Sequence, residues 1–393
     1  MRSLNPVAIT ALWVLSVNFC SGQVQNFAYS EQGPITIGTT LSFQSEVLAE
    51  DKEILVSLPQ SYDSSSRRYP VVYLLDAQYF FEFQYAYGLI NTLTFFEDIP
   101  ELILVGVASN DRNRDMVPST QNPEGSAESF LEFFRKELHP FIDQTYRTEP
   151  HRILIGHSAG GLFALHTLLQ APDTFNGYIA ISPAVWTDDG KFMDELRDGL
   201  DKNTGFHNTL FSSLANEVGD ERETYYAFVQ MLGEANAPGL EFSNMNFPEE
   251  DHGSSIIPGM REGLLAMYKN WGPPDSVSNL DELLSHYQAL SEHYGYSIPV
   301  PVRHASDEGF KLIRSGDAAA ALQIFEYSLA NISQDAIAHY QVAFALRALG
   351  RLDEALSEFE EAIALGPGTD MHSVFIRFRD EVAREIREQE AGD

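Results

Sequence analysis

Gly156-His157-Ser158-Ala159-Gly160-Gly161 stands between an apolar run at residues 153–155 and a helix-like run at residues 162–169. Small residues allow a strand to turn sharply into a helix, and G-x-S-x-G in that context presents a serine hydroxyl at the turn. The pattern therefore predicts a nucleophile elbow with Ser158 as the nucleophile. The alternative is an ordinary N-cap serine that begins a helix after a glycine turn.

The segments around this turn alternate between strand-like and helix-like patterns. Four continuous apolar runs are typical of strands buried on both faces, at residues 71–75, 102–105, 153–155 and 178–181. Alternating residues over 35–58 predict an antiparallel hairpin before them, and two more strands are expected at residues 209–214 and 241–247. Helical patterns lie around residues 80–96, 126–146, 162–169, 221–232 and 256–268. This alternation predicts an α/β fold with a mostly parallel sheet flanked by helices.

A serine nucleophile needs a histidine that takes its proton and a carboxylate that orients the histidine. After such an elbow the acid and then the histidine follow in chain order, in loops beyond the carboxyl ends of later strands. His252 lies just past the last predicted strand, whereas His166 lies inside a helix and His207 precedes a strand. We therefore predict His252 as the base, and the alternative is a solvated loop histidine or a neighbour that caps a helix.

The loop after the strand at residues 209–214 offers three candidate acids, Glu217, Asp220 and Glu221. Glu217 is the first beyond the strand, and each additional residue can carry a carboxylate about 3 Å further from the imidazole. Glu217 is preferred on this ground, and Asp220 or Glu221 stays open as the alternative. Those two carboxylates would also offset the dipole of the helix that follows.

The negative charge that develops on the substrate oxygen needs fixed hydrogen-bond donors. Such donors are normally the amide after the nucleophile and an amide from the loop after the third strand. In this chain they are the backbone N–H groups of Ala159 and Gln78. This chemistry requires neither a metal ion nor a cofactor.

The long loop at residues 108–127 is expected to form one wall of the pocket. Its Arg112 or Arg114 could bind a carboxylate or phenolate of the substrate, and ion pairs within the loop are the alternative. Trp186 follows the predicted strand at residues 178–181 and could stack on an aromatic substrate or pack in the core. All three side chains are therefore candidate substrate-binding residues.

The charge and the N-terminus bear on partners and location. The 393 residues include 25 basic and 57 acidic side chains, and the formal net charge of −32 argues against nucleic acid as a partner. Arg2, an apolar run at residues 7–17 and then Cys20-Ser21-Gly22 have the order of a signal peptide over residues 1–22. We expect a periplasmic or secreted protein with no integral membrane segment after cleavage. Lipidation at Cys20 and a retained membrane anchor are the alternatives.

The C-terminal region repeats with a period of 34 residues. This offset pairs similar residues, Gly316 with Gly350, Ala321 with Ala355 and Phe325 with Phe359. Tetratricopeptide repeats (TPRs) have that period, so a small all-α TPR-like domain is expected. Because two repeats are fewer than independent stability needs, residues 371–388 are expected to cap the array.

These patterns divide the chain into four parts. After the signal peptide, residues 23–272 form the α/β domain, residues 273–301 form a connecting helix and a Pro-containing linker, and residues 302–393 form the TPR-like domain. The repeats could bind a protein partner, mediate a homodimer contact or cover a surface near the active site.

Five motifs of the α/β region occur together, namely Tyr73-Leu74-Leu75-Asp76, Asp111-Arg112-Asn113-Arg114-Asp115, Gly156 to Gly161, Ser182-Pro183 with Trp186, and Asp251-His252-Gly253-Ser254. In combination they resemble the Putative esterase family, the esterase D-like and enterochelin-esterase-like branch of the α/β-hydrolase superfamily, over about residues 30–270. The resemblance implies Ser158 as nucleophile, His252 as base and Glu217 at the position of the family's acid.

The resemblance also implies an activity. It indicates an exported serine hydrolase that cleaves a small-molecule carboxylic ester through an acyl-enzyme, and siderophore-type esters are the most specific substrate expectation. One alternative is acyl transfer to an alcohol, as in the mycolyltransferases of the same branch. The other is a non-catalytic binding protein, in which the TPR-like repeats bind the partner and the hydrolase scaffold is inactive.

Overall fold

The computed structural model describes residues 35–118, 126–186, 191–202, 205–235, 237–331, 335–369 and 371–392. Residues 37–393 belong to one compact unit. The predicted signal peptide at residues 1–22, with Cys20, lies outside the described residues. No helix within the described ranges is long and apolar enough to cross a membrane.

A mixed sheet forms the centre of the α/β region. In the described residues it has eight strands, β1 (Thr39–Ser45), β2 (Glu50–Ser57), β3 (Tyr69–Leu75), β4 (Ile103–Val107), β5 (Thr148–His157), β6 (Gly177–Ile181), β7 (Asn208–Leu214) and β8 (Leu240–Asn246). Their spatial order is β1-β2-β4-β3-β5-β6-β7-β8. β1 with β2 and β2 with β4 are antiparallel, and the other neighbouring pairs are parallel. The predicted hairpin and mostly parallel sheet are confirmed.

Helices cover both faces of this sheet. The described helices are α1 (Phe80–Phe95), α2 (Arg112–Met116), α3 (Ala127–Phe133), α4 (His139–Thr145), α5 (Ala159–Gln170), α6 (Lys191–Lys202), α7 (Asp220–Glu234), α8 (Ile256–Met267), α9 (Leu280–Tyr294), α10 (Val302–Ser315), α11 (Ala318–Asn331), α12 (Ala336–Ala348), α13 (Leu352–Leu365) and α14 (His372–Gly392). Because both faces are covered, β3, β4 and β6 consist entirely of buried residues, as continuous apolar runs predict.

One predicted helix is interrupted. The pattern at residues 126–146 predicts a single helix, but α3 and α4 are separated by a π-helical turn at Phe134–Leu138. Pro140, in the first turn of α4, has no N–H to donate to the preceding turn. The His139 N–H instead bonds the carbonyl of Phe134, five residues earlier, which is the spacing of a π-helix.

The C-terminal helices form the predicted all-α array. The array contains the helix pairs α10–α11 and α12–α13. Helices α10 and α11 pack closely at Gly309, where a Cβ would lie 2.2 Å from the Phe325 ring. The expected cap is present, because α14 packs on the second pair through Phe378, whose ring centroid lies 4.9 Å from that of Phe344. The buried core of the array is continuous with the core under α1 and α8.

Direct contacts also attach the array to the α/β region. The carboxylate of Glu97, just after α1, accepts hydrogen bonds from the backbone N–H groups of Arg303 (3.1 Å) and His304 (3.3 Å) at the start of α10. These N–H groups have no partner within their own helix, so Glu97 supplies the cap that Pro301 at the N-cap position cannot. Tyr287 of α9 also hydrogen-bonds His304.

Candidate active site

The predicted elbow is a sharp turn between β5 and α5. Ser158 has φ 58° and ψ −115°, a conformation that non-glycine residues rarely adopt. The turn brings the backbone at Gly156 so close to the backbone at Gly160 that a Cβ on Gly156 would lie 2.1 Å from the carbonyl oxygen of Gly160. Although Ser158 occupies the N-cap position of α5, its side chain makes no capping hydrogen bond. The hydroxyl is therefore not committed to the role that the N-cap alternative assigns to it.

His252 lies beside this elbow. Its ring centroid is 4.7 Å from that of His157, the residue that precedes Ser158. His157 Nε2–H donates to the carbonyl of His252 at 2.7 Å, and burial, then the nearby His252, lowers the pKa of His157 to about 4. His157 is therefore neutral near pH 7 and holds the backbone of His252 by a hydrogen bond. The Ser255 hydroxyl donates to the same carbonyl at 2.9 Å.

Glu217 contacts the imidazole of His252 directly. The Nδ1–H of His252 donates to Glu217 Oε1 at 2.8 Å. Glu217 is 7% exposed, and this burial raises its pKa, but hydrogen bonds from His252, from its own backbone N–H and from Ser182 outweigh burial, so the pKa lies below its usual value. An ionised Glu217 holds the Nδ1–H tautomer of His252, which leaves Nε2 with a free lone pair.

The other two candidate acids lie at the start of α7. Asp220 is the first residue of this helix and is exposed, and Glu221 follows it. Both carboxylates are in the first turn, where they favourably interact with the helix dipole. Within the described contacts, Glu217 rather than Asp220 or Glu221 bonds the ring of His252.

The two predicted oxyanion donors lie next to the elbow and at the end of β3. Ala159 is the first residue of α5, so its N–H has no acceptor within the helix. Gln78 lies two residues after Asp76, which has φ 62° and is 2% exposed. The Gln78 side chain fastens this loop, because Nε2–H donates to Asp76 Oδ1 and Oε1 accepts from the Ser109 N–H, both at 2.8 Å.

Arg112 connects the loop of Gln78 to the elbow. Its guanidinium makes a bidentate pair with Asp76, at 2.5 Å from Nε to Oδ1 and 2.9 Å from Nη2 to Oδ2. Nη2 also donates to the carbonyl of His157 at 3.3 Å. This connection is not predicted from the sequence, where the one local signal is that Asp76 directly follows a buried strand.

Arg114 and Trp186 occupy different surroundings. Arg114 bonds Asp115 within the loop and Glu50 at the start of β2, each at 2.6 Å, so its guanidinium is held in ion pairs. Trp186 is half-buried, and its ring centroid lies 6.0 Å from that of His252. Contact of Arg112, Arg114 or Trp186 with a substrate stays a prediction.

Ser182 is a further residue of the site, and its supporting role is not predicted from the sequence. It follows β6 with φ 37° and is fully buried. Its hydroxyl lowers the pKa of Glu217 and also accepts the N–H of Ala215 at 3.2 Å. Among the described residues, no group of three or more His, Cys, Asp or Glu side chains could hold a metal ion.

The sheet order, the strained serine at the end of β5 and the His252–Glu217 pair define the architecture of an α/β-hydrolase. The chain belongs to the Putative esterase family, whose model matches residues 45–251. A tetratricopeptide repeat model matches residues 336–369, which cover α12 and α13.

Curated relatives share part of this region. The chain is 34% identical over 148 residues to the ferri-bacillibactin esterase BesA of Bacillus subtilis, which is 30% of this chain and 48% of that protein. It is 26% identical over 173 residues to the siderophore enterobactin esterase of Emericella nidulans, which is 36% of this chain and 56% of that protein. The matches thus span about half the length of these relatives.

A solved structure resembles more of the chain. The IroE-like serine hydrolase from Shewanella oneidensis is 26% identical and superposes with a TM-score of 0.66. The superposition covers 75% of this chain and 99% of that one.

Proposed function

We propose that this protein is a serine hydrolase that cleaves carboxylic esters through an acyl-enzyme on Ser158. The observation that carries the proposal is the 2.8 Å hydrogen bond from His252 Nδ1–H to the buried carboxylate of Glu217, with the ring of His252 beside the elbow. This arrangement provides a nucleophile, a base and a group that orients the base, in the chain order that the fold requires.

The reaction would proceed in two steps. Ser158 Oγ attacks the ester carbonyl while His252 Nε2 takes its proton, and Glu217 stabilises the imidazolium that forms. The N–H groups of Ala159 and Gln78 hold the negative charge on the carbonyl oxygen. The departing alkoxide takes the proton from His252 and leaves as an alcohol. Water, deprotonated by His252, then attacks the acyl group and releases the acid and the free serine.

A further support concerns the geometry of the site. Arg112 bonds both Asp76 and the carbonyl of His157, so one guanidinium joins the loop of Gln78 to the strand that carries Ser158. A fixed distance between the oxyanion donors and the nucleophile is what preorganised stabilisation of the transition state needs. We infer that Arg112 positions the two loops, in addition to the substrate role predicted for it.

A siderophore-type ester is the proposed substrate, and the periplasm or the extracellular space is the proposed location. The names of the two curated relatives, both esterases of siderophores, support the substrate class. Half-buried Trp186 near His252 supports an aromatic group in the substrate, because its ring could stack on one.

A fluorophosphonate probe tests the nucleophile. The probe should label the wild type and the control variant Ser285→Ala, which alters an exposed serine of α9. It should not label Ser158→Ala. Equal labelling of Ser158→Ala and the wild type would overturn the assignment.

A substrate panel tests the substrate class. We expect kcat/KM to be higher for a catecholate-siderophore ester than for feruloyl or short acyl esters, and a preference for the feruloyl ester would contradict the proposal. N-terminal sequencing of the protein recovered from the periplasm or the medium tests export: the first residue should lie close to Gln23.

A further inference from the structure

A buried ion cluster lies behind the loop that carries Gln78. The side chain of Lys52, in β2, is fully buried, and its ammonium pairs with Asp115, which is also fully buried, and with Glu50 at 2.7 Å. Arg114 bonds both carboxylates, each at 2.6 Å. Burial raises the pKa of Glu50, but hydrogen bonds from Arg114 and Lys52 outweigh it, so the pKa lies below its usual value. The cluster therefore combines two cations with two anions.

Stability alone does not explain why a lysine is buried here. Removal of two charges from water is costly, and well-packed apolar side chains of similar volume often give equal or greater stability than a buried ion pair. The surroundings of Lys52 are partly apolar, because its ammonium lies 5.3 Å from the centroid of the Phe130 ring. The hydrogen bonds that Asp115 makes beyond its ion pairs indicate a further role for the cluster.

Ser109 joins this cluster to the loop of Gln78. Its hydroxyl donates to Asp115 Oδ2 at 2.7 Å, and its backbone N–H donates to Gln78 Oε1 at 2.8 Å. The residues on either side of it are attached to β2, because the Ala108 N–H donates to one carbonyl of that strand at 3.0 Å and Asn110 Nδ2–H donates to another at 3.2 Å. Ser109 is therefore fixed between β2 and the side chain of Gln78.

The backbone N–H of Gln78 is the end point of this series of hydrogen bonds. The N–H groups of its neighbours, Ala77 and Tyr79, bond backbone carbonyls. Among the described backbone contacts, the Gln78 N–H bonds no carbonyl, so it is available to a substrate oxygen and no carbonyl of the described chain fixes its direction. The Gln78 side chain, which bonds Ser109 and Asp76, supplies that restraint.

We propose that Ser109 and Asp115 are positioning residues for ester cleavage at Ser158. The Lys52–Asp115 pair holds Ser109 in place. Ser109 in turn holds the Gln78 side chain, so that the Gln78 backbone N–H points at the oxyanion of the substrate. Neither residue touches the substrate, and their contribution is a fixed direction for a donor that acts on the charge of the transition state. This inference rests on the proposed function, because it concerns the oxyanion donor of that reaction.

Ser109→Ala tests the positioning role, because it removes the hydroxyl and keeps the backbone N–H. Asp115 still pairs with Lys52 and Arg114 in this variant, so we expect the fold to be retained. With p-nitrophenyl butyrate, kcat should fall about tenfold and KM should stay within about twofold. The loss is smaller than the about 10²–10³-fold that removal of an oxyanion donor costs. A kcat within twofold of the wild type would overturn the inference.

Ser45→Ala is the matched control for stability. Ser45 is 2% exposed, and its hydroxyl donates to Glu137 Oε2 at 2.5 Å, away from the loop of Gln78. Each of the two variants loses one buried hydrogen bond from a serine to a carboxylate, so their Tm values should fall by similar amounts. The kcat of Ser45→Ala should stay within about twofold of the wild type. An equal loss of kcat in both variants would assign the effect to stability and overturn the positioning role.

Inhibition by phenethyl trifluoromethyl ketone gives a readout that is specific for the oxyanion. The adduct of this ketone with the nucleophile carries a negative oxygen where the transition state has one, so it depends on the same donors. The inhibition constant of Ser109→Ala should rise by the factor by which kcat falls, about tenfold. A lower kcat with unchanged inhibition would contradict the inference.

A double variant tests whether Ser109 acts through Gln78. Gln78→Leu removes the side-chain acceptor and keeps the backbone N–H, so adding Ser109→Ala to it should change kcat by less than about twofold. A further tenfold fall would overturn the proposed route. Ser158→Ala separates this inference from the proposed function. Hydrolysis that persists in Ser158→Ala refutes the proposed function, whereas its loss there with full activity in Ser109→Ala refutes the positioning role alone.

Discussion

Glu217→Gln keeps the length of the side chain and removes the charge next to His252. In the native protein, His252 Nδ1–H donates to Glu217 Oε1 at 2.8 Å. A glutamine at this position can donate its own N–H to Nδ1, which favours the tautomer with a proton on Nε2. That tautomer cannot accept the proton of Ser158, and the imidazolium also loses its counter-charge.

The size of the effect follows from the surroundings of the pair. Loss of the carboxylate in Ser–His–acid triads lowers kcat by about 10⁴-fold. In this protein the Glu217 side chain is 4% exposed, so the lost charge is poorly replaced by water, but the His252 side chain is 42% exposed and can be hydrated. We therefore expect kcat to fall by about 10²–10⁴-fold, with a much smaller change in KM.

Initial rates of p-nitrophenyl butyrate hydrolysis measure this effect, with Asp220→Asn as the matched control. Asp220 is exposed at the start of α7, so its amide variant should stay within about threefold of the wild type. A Glu217→Gln enzyme within threefold of the wild type, or a larger loss in Asp220→Asn, would refute the reasoning and move the acid along the loop.

Three further predictions concern stability. Arg112→Ala leaves Asp76 buried without its ion pair and should lower the free energy of unfolding in urea by on the order of 3 kcal/mol. Arg114→Ala should lower it less, because its partner Asp115 still pairs with Lys52. Burial of Glu82 in α1, and then the nearby Asp76 carboxylate, raise the pKa of Glu82 to about 8. The native state therefore keeps a proton on Glu82 at pH values where the unfolded chain has lost it. Wild-type stability should fall between about pH 4.5 and 8 relative to Glu82→Gln, by up to about 5 kcal/mol. Glu97→Ala removes the cap of α10 and should speed hydrogen exchange at its first turn by about fivefold, a change of about 1 kcal/mol.

Each of these predictions has an outcome that contradicts it. If Arg112→Ala and Arg114→Ala have equal stabilities, the buried Asp76 is not held by Arg112 in the way described. Parallel pH profiles for Glu82→Gln and the wild type would show that Glu82 ionises as it does in the unfolded chain. Unchanged exchange in Glu97→Ala would mean that α10 does not depend on the α/β region for its cap.

Local patterns are sufficient to predict the sheet and the elbow. Fully buried parallel strands need uninterrupted apolar runs, and β3 and β6 show them in sequence. The turn at Ser158 needs glycine where the backbones approach, and Gly156 meets that need. The preference for Glu217 over Asp220 rested on chain reach alone, and it is Glu217 that bonds His252 in the structure.

Features made by distant segments are not predictable in this way. Arg112 and Asp76 are 36 positions apart, and their pairing depends on two loops meeting at one sheet edge. A cavity of about 770 Å³ between the sheet and the helical array is lined by residues from Ser57 to Asn331, so no single stretch of sequence indicates it. The π-helical turn is intermediate, because Pro140 signals an irregularity but not its form.

Mass spectrometry of the protein during turnover tests the central claim most directly. After a rapid acid quench of the reaction with p-nitrophenyl acetate, the wild type should carry one acetyl group on the peptide that contains Ser158. The same experiment with Ser158→Ala should detect no acetylated peptide. Hydrolysis that proceeds without any acyl group on Ser158, or with the acyl group on another residue, would contradict the account.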